Sequence, residues 1–369
     1  MPVRAVDLFC GCGGVTRGFE EAGICVSVGV DFDERCKETY EKNNARSKFL
    51  LKDISKLAGK DLVAELGPVE SDDLLLLSAC APCQPFSQQN RGKRLDSEKR
   101  ILTHVARLIR ELEPDFVFLE NVYGLKNVRG YSAFRRLLKV LEKLHYKVSS
   151  GMVNACDYGV PQMRKRFVLT AVRGSQPAWA DATHGENRAL PYGTVREAIS
   201  EFPPIEHGEA HPSIPNHIAS RLSPTNYSRV KATPTDGGSR SSWPKALRLK
   251  CHDNHDGHPD VYGRLKWDGL SPTLTTKCTS ISNGRYGHPE QHRAISAREA
   301  AALQGFSKDY IFVGGVNCLR RLIGNAVPPP VAKSFAQAFA NAAKMLNGGQ
   351  CSSKWRELCK NNAKRKAAA

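Results

Sequence analysis

Apolar residues in this chain gather in short unbroken runs, and each run stops at a glycine, a proline or an acid. Leu74-Leu75-Leu76-Leu77 is the plainest, entered through Asp72 and Asp73 and followed closely by Pro82 and Pro85. A run so short and so uniformly apolar predicts a strand buried on both faces, as in a parallel sheet. Val3 to Phe9, Val26 to Val30, Phe49 to Leu51, Asp115 to Leu119 and Phe167 to Val172 read the same way. Between them the apolar spacing lengthens, and Val15 to Ala22, Ile101 to Leu112 and Tyr131 to Leu144 predict helices, the second stopped by Pro114. Alternating strands and helices predict an α/β fold, whose chemistry gathers at the carboxyl ends of the strands.

The residues at those ends are unusual. The first strand breaks at Cys10-Gly11-Cys12-Gly13-Gly14, where missing Cβ atoms let backbone approach a ligand. Asp31 ends the second strand about 20 residues on, the place for a carboxylate that binds ribose hydroxyls. Asp33, and Asp53 with Ile54 after the third strand, add further acids. An acid at Asp7 suits a cationic ligand better than a pyrophosphate, which favours S-adenosylmethionine over NAD. After the leucine run, Pro82 and Pro85 hold Cys83 in a rigid extended loop. Cys83 could be a buried structural thiol, or Cys80 and Cys83 a redox or metal pair. Neither explains the flanking prolines, and Cys83 is read as a nucleophile. Gln88 to Arg100 reads as a mobile basic loop or a solvated surface, and Glu120 ends another strand. Arg164 and Arg166, two apart on an extended chain, are expected to point the same way.

Composition enlarges the picture. The chain has 369 residues, long for one core, which predicts a large domain with a smaller one. Its 54 Lys and Arg against 37 Asp and Glu leave a formal charge of +17, which points to a polyanion or else to a solvated basic surface. No stretch is apolar enough to span a membrane, and no leader precedes Val3, so a cytoplasmic protein with mostly free thiols among its twelve cysteines is expected. From Arg173 to about Arg293 the apolar runs vanish, and Pro, Gly, Ser and His become frequent. There Thr194 to Phe202 predicts a helix, and Thr235 to Arg240 with Trp243 a tight glycine loop flanked by basic and aromatic groups. From Asn226 to Lys266 eight Lys and Arg face four Asp, an excess that suits phosphate contact. Cys251, His252, His255 and His258 lack a standard zinc spacing and read as a polar loop. Ser296 to Gln304 predicts a helix, and the segment Leu322 to Met345 closes the fold.

The order of these motifs resembles that of the DNA (cytosine-5) methyltransferase family. The matching residues are Asp7-x-Phe9-x-Gly11-x-Gly13-Gly14, Pro82-Cys83-Gln84, Glu120-Asn121-Val122 and Gln162-x-Arg164-x-Arg166. Arg298-Glu299-Ala300 with Leu303-Gln304-Gly305-Phe306, and Gly324-Asn325-Ala326-Val327-Pro328-Pro329, complete the series to about residue 345. Asp31 stands where the family commonly has Glu, and can still reach a ribose.

The resemblance implies a Rossmann-like S-adenosylmethionine-dependent methyltransferase core over 1–178 and 318–346, and a smaller irregular target-recognition domain over 179–317. Residues 347–369 are expected to be a disordered basic tail. The implied activity is methylation of C5 of a flipped-out cytosine in double-stranded DNA through a covalent Cys83–C6 intermediate. Glu120 would serve the ring at N3 and its amine, with Arg164 and Arg166 on the O2 side and Arg164 favoured. S-adenosylmethionine, leaving as S-adenosylhomocysteine, would be held by Asp7, Phe9, Gly11, Gly13, Gly14, Asp31, Phe32, Asp53, Ile54, Pro82 and, on a returning helix, Asn325. DNA would be met by Gln84, Ser87, Arg91, Arg94, Gly237, Gly238 and Arg240. No metal is implied. A monomer is expected, with a cognate restriction endonuclease as a candidate companion.

Rival readings fare worse. The tRNA-methylating branch of the family typically carries a Cys-Phe-Thr triplet, and none occurs here. A catalytically dead homologue would have lost Cys83 or Glu120, and a Cys hydrolase would need a His near a strand end of the large domain.

Overall fold

A computed structural model describes residues 2–81, 101–122, 132–250, 260–346 and 354–367. Pro82, Cys83, Gln84, Ser87, Arg91, Arg94 and the Cys251–His258 stretch lie outside the described residues. The chain divides into two compact units, Met1–Val153 with Lys165–Asp181 and Pro329–Ala369, and Asn154–Arg164 with Ala182–Pro328.

The larger unit is built on a seven-stranded sheet in the order β3-β2-β1-β4-β5-β7-β6. Its strands are β1 (Val3–Leu8), β2 (Cys25–Asp31), β3 (Lys48–Leu51), β4 (Leu74–Ala79), β5 (Phe116–Asn121), β6 (Tyr146–Asn154) and β7 (Lys165–Arg173). The first five run parallel, and β7 returns antiparallel beside β5. Every residue of β4 and β5 is buried, which is why their sequences lack any polar alternation. The helices are α1 (Gly14–Glu21), α2 (Lys37–Asn43), α3 (Gly59–Val63), α4 (Ile101–Leu112) and α5 (Ser132–Lys143). Helix α4 buries Leu102, Val105, Ala106, Leu108, Ile109 and Leu112, the stripe that its apolar spacing predicts.

The smaller unit carries α6 (Val195–Ile199), α7 (Pro224–Ala232), α8 (Ala297–Leu303) and α9 (Val316–Asn325) among irregular segments. Backbone without ladder partners still needs hydrogen bonds, and here buried arginines supply them. Arg264 donates to the carbonyls of Val230, Thr233 and His288 at 2.9, 3.0 and 2.8 Å. Burial lowers its pKa to about 10, still charged at neutral pH. Arg293 forks onto Glu299 with both bonds at 2.7 Å, and although burial, the largest single influence, raises the Glu299 carboxyl, Arg293, His288 and the Ser296 N–H together hold it below the usual range. Arg264 was counted toward phosphate contact in the sequence, and its burial removes it from that role.

Two boundaries differ from the expectation. Residues 154–164 and 318–328 belong to the smaller unit, not to the catalytic core. The physical reason is Arg164, whose buried guanidinium donates to the carbonyls of Leu274, Gly324 and Ala326 and knots these segments together.

The larger unit closes with α10 (Pro329–Met345) and α11 (Lys354–Ala367). Helix α11 corrects the expectation of a disordered tail. Trp355 is fully buried in the core of the larger unit, with Leu358 and Cys359 packed against the same core. Its indole N–H donates to Asp115 Oδ2 at 3.3 Å, and Lys354 pairs with Glu113 at 2.9 Å. Asp115 and Asp73 immediately precede β5 and β4, so α11 covers the amino-terminal edge of the sheet.

Candidate active site

The opposite, carboxyl-terminal edge of the sheet carries the site. Parallel register sets Leu8 beside Val30 and Ala79, Asp31 beside Leu51, and Ala79 beside Leu119. The segments after these residues therefore form one row: the glycine turn, Asp31 to Asp33, Asp53, Cys80 and Glu120.

The turn is a backbone cradle. Gly11 and Gly13 have φ of 51° and 91°, values that cost residues with a Cβ. A Cβ on Gly11 would meet nothing within 4 Å, so that face is open. Gly11 N–H donates to Asp31 Oδ2 and Asp33 N–H to Asp31 Oδ1, both at 2.9 Å, which aims the carboxylate along the row. Each Asp31 oxygen keeps lone-pair capacity for a hydroxyl. Burial raises the Asp31 pKa, the main cause, against those two stabilising N–H donors. Phe32 is 68% exposed, a large ring with no packing reason to be there. Phe9, at φ 61°, is half-buried against the core below the turn. Asp53 is exposed and accepts from Ser55 N–H at 2.7 Å, which holds its carboxyl below the usual range. Open turn, ribose-ready carboxylate and exposed ring fit an adenosyl ligand.

Asp7 departs from the expected role. It is fully buried and takes hydroxyl bonds from Thr16 at 2.8 Å and Ser78 at 3.1 Å, so it cannot touch a ligand. Its neighbour Thr16 is also linked to Tyr40 at 3.0 Å, and Tyr40 to Ser47 at 2.6 Å.

Glu120, at the end of β5, is 7% exposed. Its Oε1 lies 3.2 Å from Arg166 Nε, an ion pair without hydrogen-bond alignment, so this buried oxygen has an unmet acceptor. Asn121 was not singled out in the sequence, yet its amide donates to the Ala81 carbonyl at 3.2 Å and fixes the approach to Cys83. Cys80 lies on that approach, 3.9 Å from Ser78 Oγ. Burial, and then the Glu120 charge, push its thiol well above the ordinary range, so it stays protonated.

Arg166, not Arg164, is therefore the arginine beside Glu120. Arg164 is spent on the carbonyls of the smaller unit, which also contains Asn325, exposed at the end of α9. Gly237, Gly238 and Arg240 lie in the smaller unit too. Arg285 ties their turn by donating to the carbonyls of Gly237 at 2.9 Å, Gly238 at 3.3 Å and Arg264 at 3.2 Å. A Cβ on Gly238 would strike the Pro234 carbonyl.

The two arginines make a testable contrast. Arg166→Ala should slow methylation about tenfold or more with little change in melting. Arg164→Ala should instead destabilise the chain by roughly 2–4 kcal/mol, since several buried carbonyls lose their donor. Thermal melts and single-turnover rates on both variants check this.

This strand order, with its antiparallel seventh strand and glycine turn, defines an α/β protein of the methyltransferase type. Residues 3–341 match the family described as C-5 cytosine-specific DNA methylase, and the chain belongs to that family. The type II methylase M.HgiDII of Herpetosiphon aurantiacus is 40% identical over 351 residues, 94% of this chain and 97% of that protein. The type II methyltransferase M1.HphI of Haemophilus parahaemolyticus is 30% identical, over 92% of this chain and 87% of its own. Among solved structures, a prophage-encoded E. coli protein described as a DNA modification methyltransferase superposes with a TM-score of 0.72 at 23% identity, covering 92% of this chain and 99% of its own. The chain is a DNA (cytosine-5-)-methyltransferase.

Proposed function

We propose that this chain methylates cytosine in double-stranded DNA by adding the Cys83 thiolate to C6, with Glu120 serving the far side of the ring. The observation that carries this is the unmet acceptor on buried Glu120, at the strand end beside the one that leads to Cys83. C5 of cytosine is a poor nucleophile. A thiolate bonded to C6 makes C5 electron-rich, one hard step becoming easier ones. Glu120 would supply a proton to N3 and accept the exocyclic amine, so negative charge does not build on the ring. Arg166 would hold Glu120 in place. After C5 has gained its substituent, loss of the C5 proton to a base expels the Cys83 sulfur from C6 and restores the aromatic ring.

S-adenosylmethionine, held by the Gly11 to Gly13 turn, Asp31 and the Phe32 ring, would supply the electrophilic methyl group. The target base must leave the duplex at a cost of a few kcal/mol, which the basic stretch Gln88 to Arg100 could offset. The larger unit would perform the reaction, and residues 182–328 would choose the DNA site, through the turn at Gly237 to Arg240. We place the protein in the cytoplasm on DNA, as a monomer beside a cognate endonuclease. No helix among the described residues is long and apolar enough to cross a membrane.

The test is DNA carrying 5-fluorocytosine at the target. Fluorine cannot leave as a cation, so the reaction should stop as a protein–DNA adduct that survives denaturing electrophoresis and forms efficiently only with S-adenosylmethionine. Cys83→Ser should abolish the adduct and Cys80→Ser should keep it. An adduct lost with Cys80 and retained without Cys83 would overturn the assignment.

A further inference from the structure

We propose that Asp7 is a positioning residue that gives up its proton to solvent when a sulfonium rests on the glycine turn and takes one back when that charge is gone, so that the larger unit grips the methyl donor more tightly than the spent product. This rests on the S-adenosylmethionine reading above.

The geometry begins with isolation. Asp7 has no exposure at all. Its oxygens accept from two neutral hydroxyls, Thr16 Oγ1 and Ser78 Oγ, and no Lys or Arg among the described residues pairs with it. A buried carboxylate without a cation is costly. Asp31, at the end of the neighbouring strand, adds repulsion. Desolvation first, and that repulsion behind it, raise the Asp7 pKa from 3.8 to about 7, against the two hydroxyl bonds. Burial without a cation therefore brings the titration of Asp7 up toward the neutral range, on the strand that runs into a cradle built for a ligand.

Among the other titratable groups around it the thiols and the phenol are silent in this range, while Asp31, itself raised by burial, faces the ribose that both ligands share. Cys10, Tyr40 and Cys80 are pushed well above their ordinary values by burial, and Cys12 is pushed to about 12 by the same cause. A positive sulfur on the open face of Gly11 favours the carboxylate form of Asp7 through low-dielectric protein. The sign follows from linkage. If the charged ligand prefers ionised Asp7, binding releases a proton below about pH 7 and affinity rises as pH climbs through that value. Methyl transfer turns the sulfonium into a neutral thioether, the preference disappears, and Asp7 recovers its proton from water. Buried Asp7 would thus report the charge on sulfur without touching it.

The experiment is titration calorimetry of the full chain with S-adenosylmethionine and with S-adenosylhomocysteine, from about pH 6 to about pH 8, in two buffers of unlike ionisation enthalpy. Both ligands share an α-amino group that titrates in this window, so the difference between them is the readout. S-adenosylmethionine should tighten about tenfold relative to the product across the window, with proton release largest at the acid end. Asp7→Asn should flatten that difference. Ser78→Ala, which removes one hydroxyl from the carboxylate, should move it to higher pH. Parallel pH profiles for the two ligands, or a difference that survives in Asp7→Asn, would overturn the inference. Failure of both ligands to bind at any pH would overturn the cofactor reading itself.

Discussion

Glu120→Gln should lower the single-turnover rate of methylation roughly 10²–10⁴-fold, the range for removal of a positioned acid or base. Glutamine has nearly the volume of glutamate, and the side chain is packed at the end of a wholly buried strand. Folding should survive, because the change keeps the side-chain volume and leaves the Arg166 charge, partly open to solvent, able to be hydrated once its partner charge is gone. What disappears is proton delivery to N3 and the charge complement of the ring as the thiolate adds. DNA affinity should stay close to that of the parent, since phosphate contacts dominate it. The check is rapid-quench methylation at saturating enzyme, beside a DNA-binding isotherm and a melt. An unchanged rate in a folded, DNA-binding variant would remove Glu120 from the chemistry.

Trp355→Ala should destabilise the larger unit by roughly 3–5 kcal/mol, the usual cost of emptying a large buried aromatic site. Trp355 is fully buried in the main core, and Asp115 would lose its indole donor. That acid is already raised by burial, and it also accepts from Leu75 N–H at 2.8 Å, so the damage falls where β4 and β5 begin. Urea unfolding followed by tryptophan fluorescence and by circular dichroism measures the loss. Removal of residues 354–367 should cost at least as much. The basic composition of this segment points instead to loss of DNA affinity at low salt. A truncated chain with unchanged unfolding and weakened low-salt binding would restore the charged-tail reading.

Much of the larger unit is legible from the sequence. Strands such as β4 and β5, buried on both faces, must be continuous apolar runs, and the glycines of the turn stand where positive φ is needed. Helix α11 was hidden by its lysines and arginines. Its signal is the spacing of Trp355, Leu358 and Cys359, one apolar face on a charged helix. Arg164 and Arg166 share a strand period of two, but period says nothing about which carbonyls or carboxylates lie within reach. Arg164 falls just before β7, and the backbone of the smaller unit claims it. Asp7 was read by its charge alone, and Thr16 and Ser78, polar residues within apolar segments, were the clue to its burial. The basic stretch 226–266 misleads for a related reason. Irregular backbone needs donors, and arginines supply them, Arg264 from inside and Arg229 from a half-buried position.

The place of α11 has a consequence for how the protein is made. A ribosome releases residues 354–367 after every segment they pack upon, since Asp73, Arg110, Glu113 and Asp115 all lie far upstream. Until then Asp115 and the amino ends of β4 and β5 face solvent or a chaperone, so the core can be sealed only after synthesis of this stretch. A message cut before the codons for residues 354–367 would therefore yield a chain that holds every catalytic motif and yet lacks the plug for its own core.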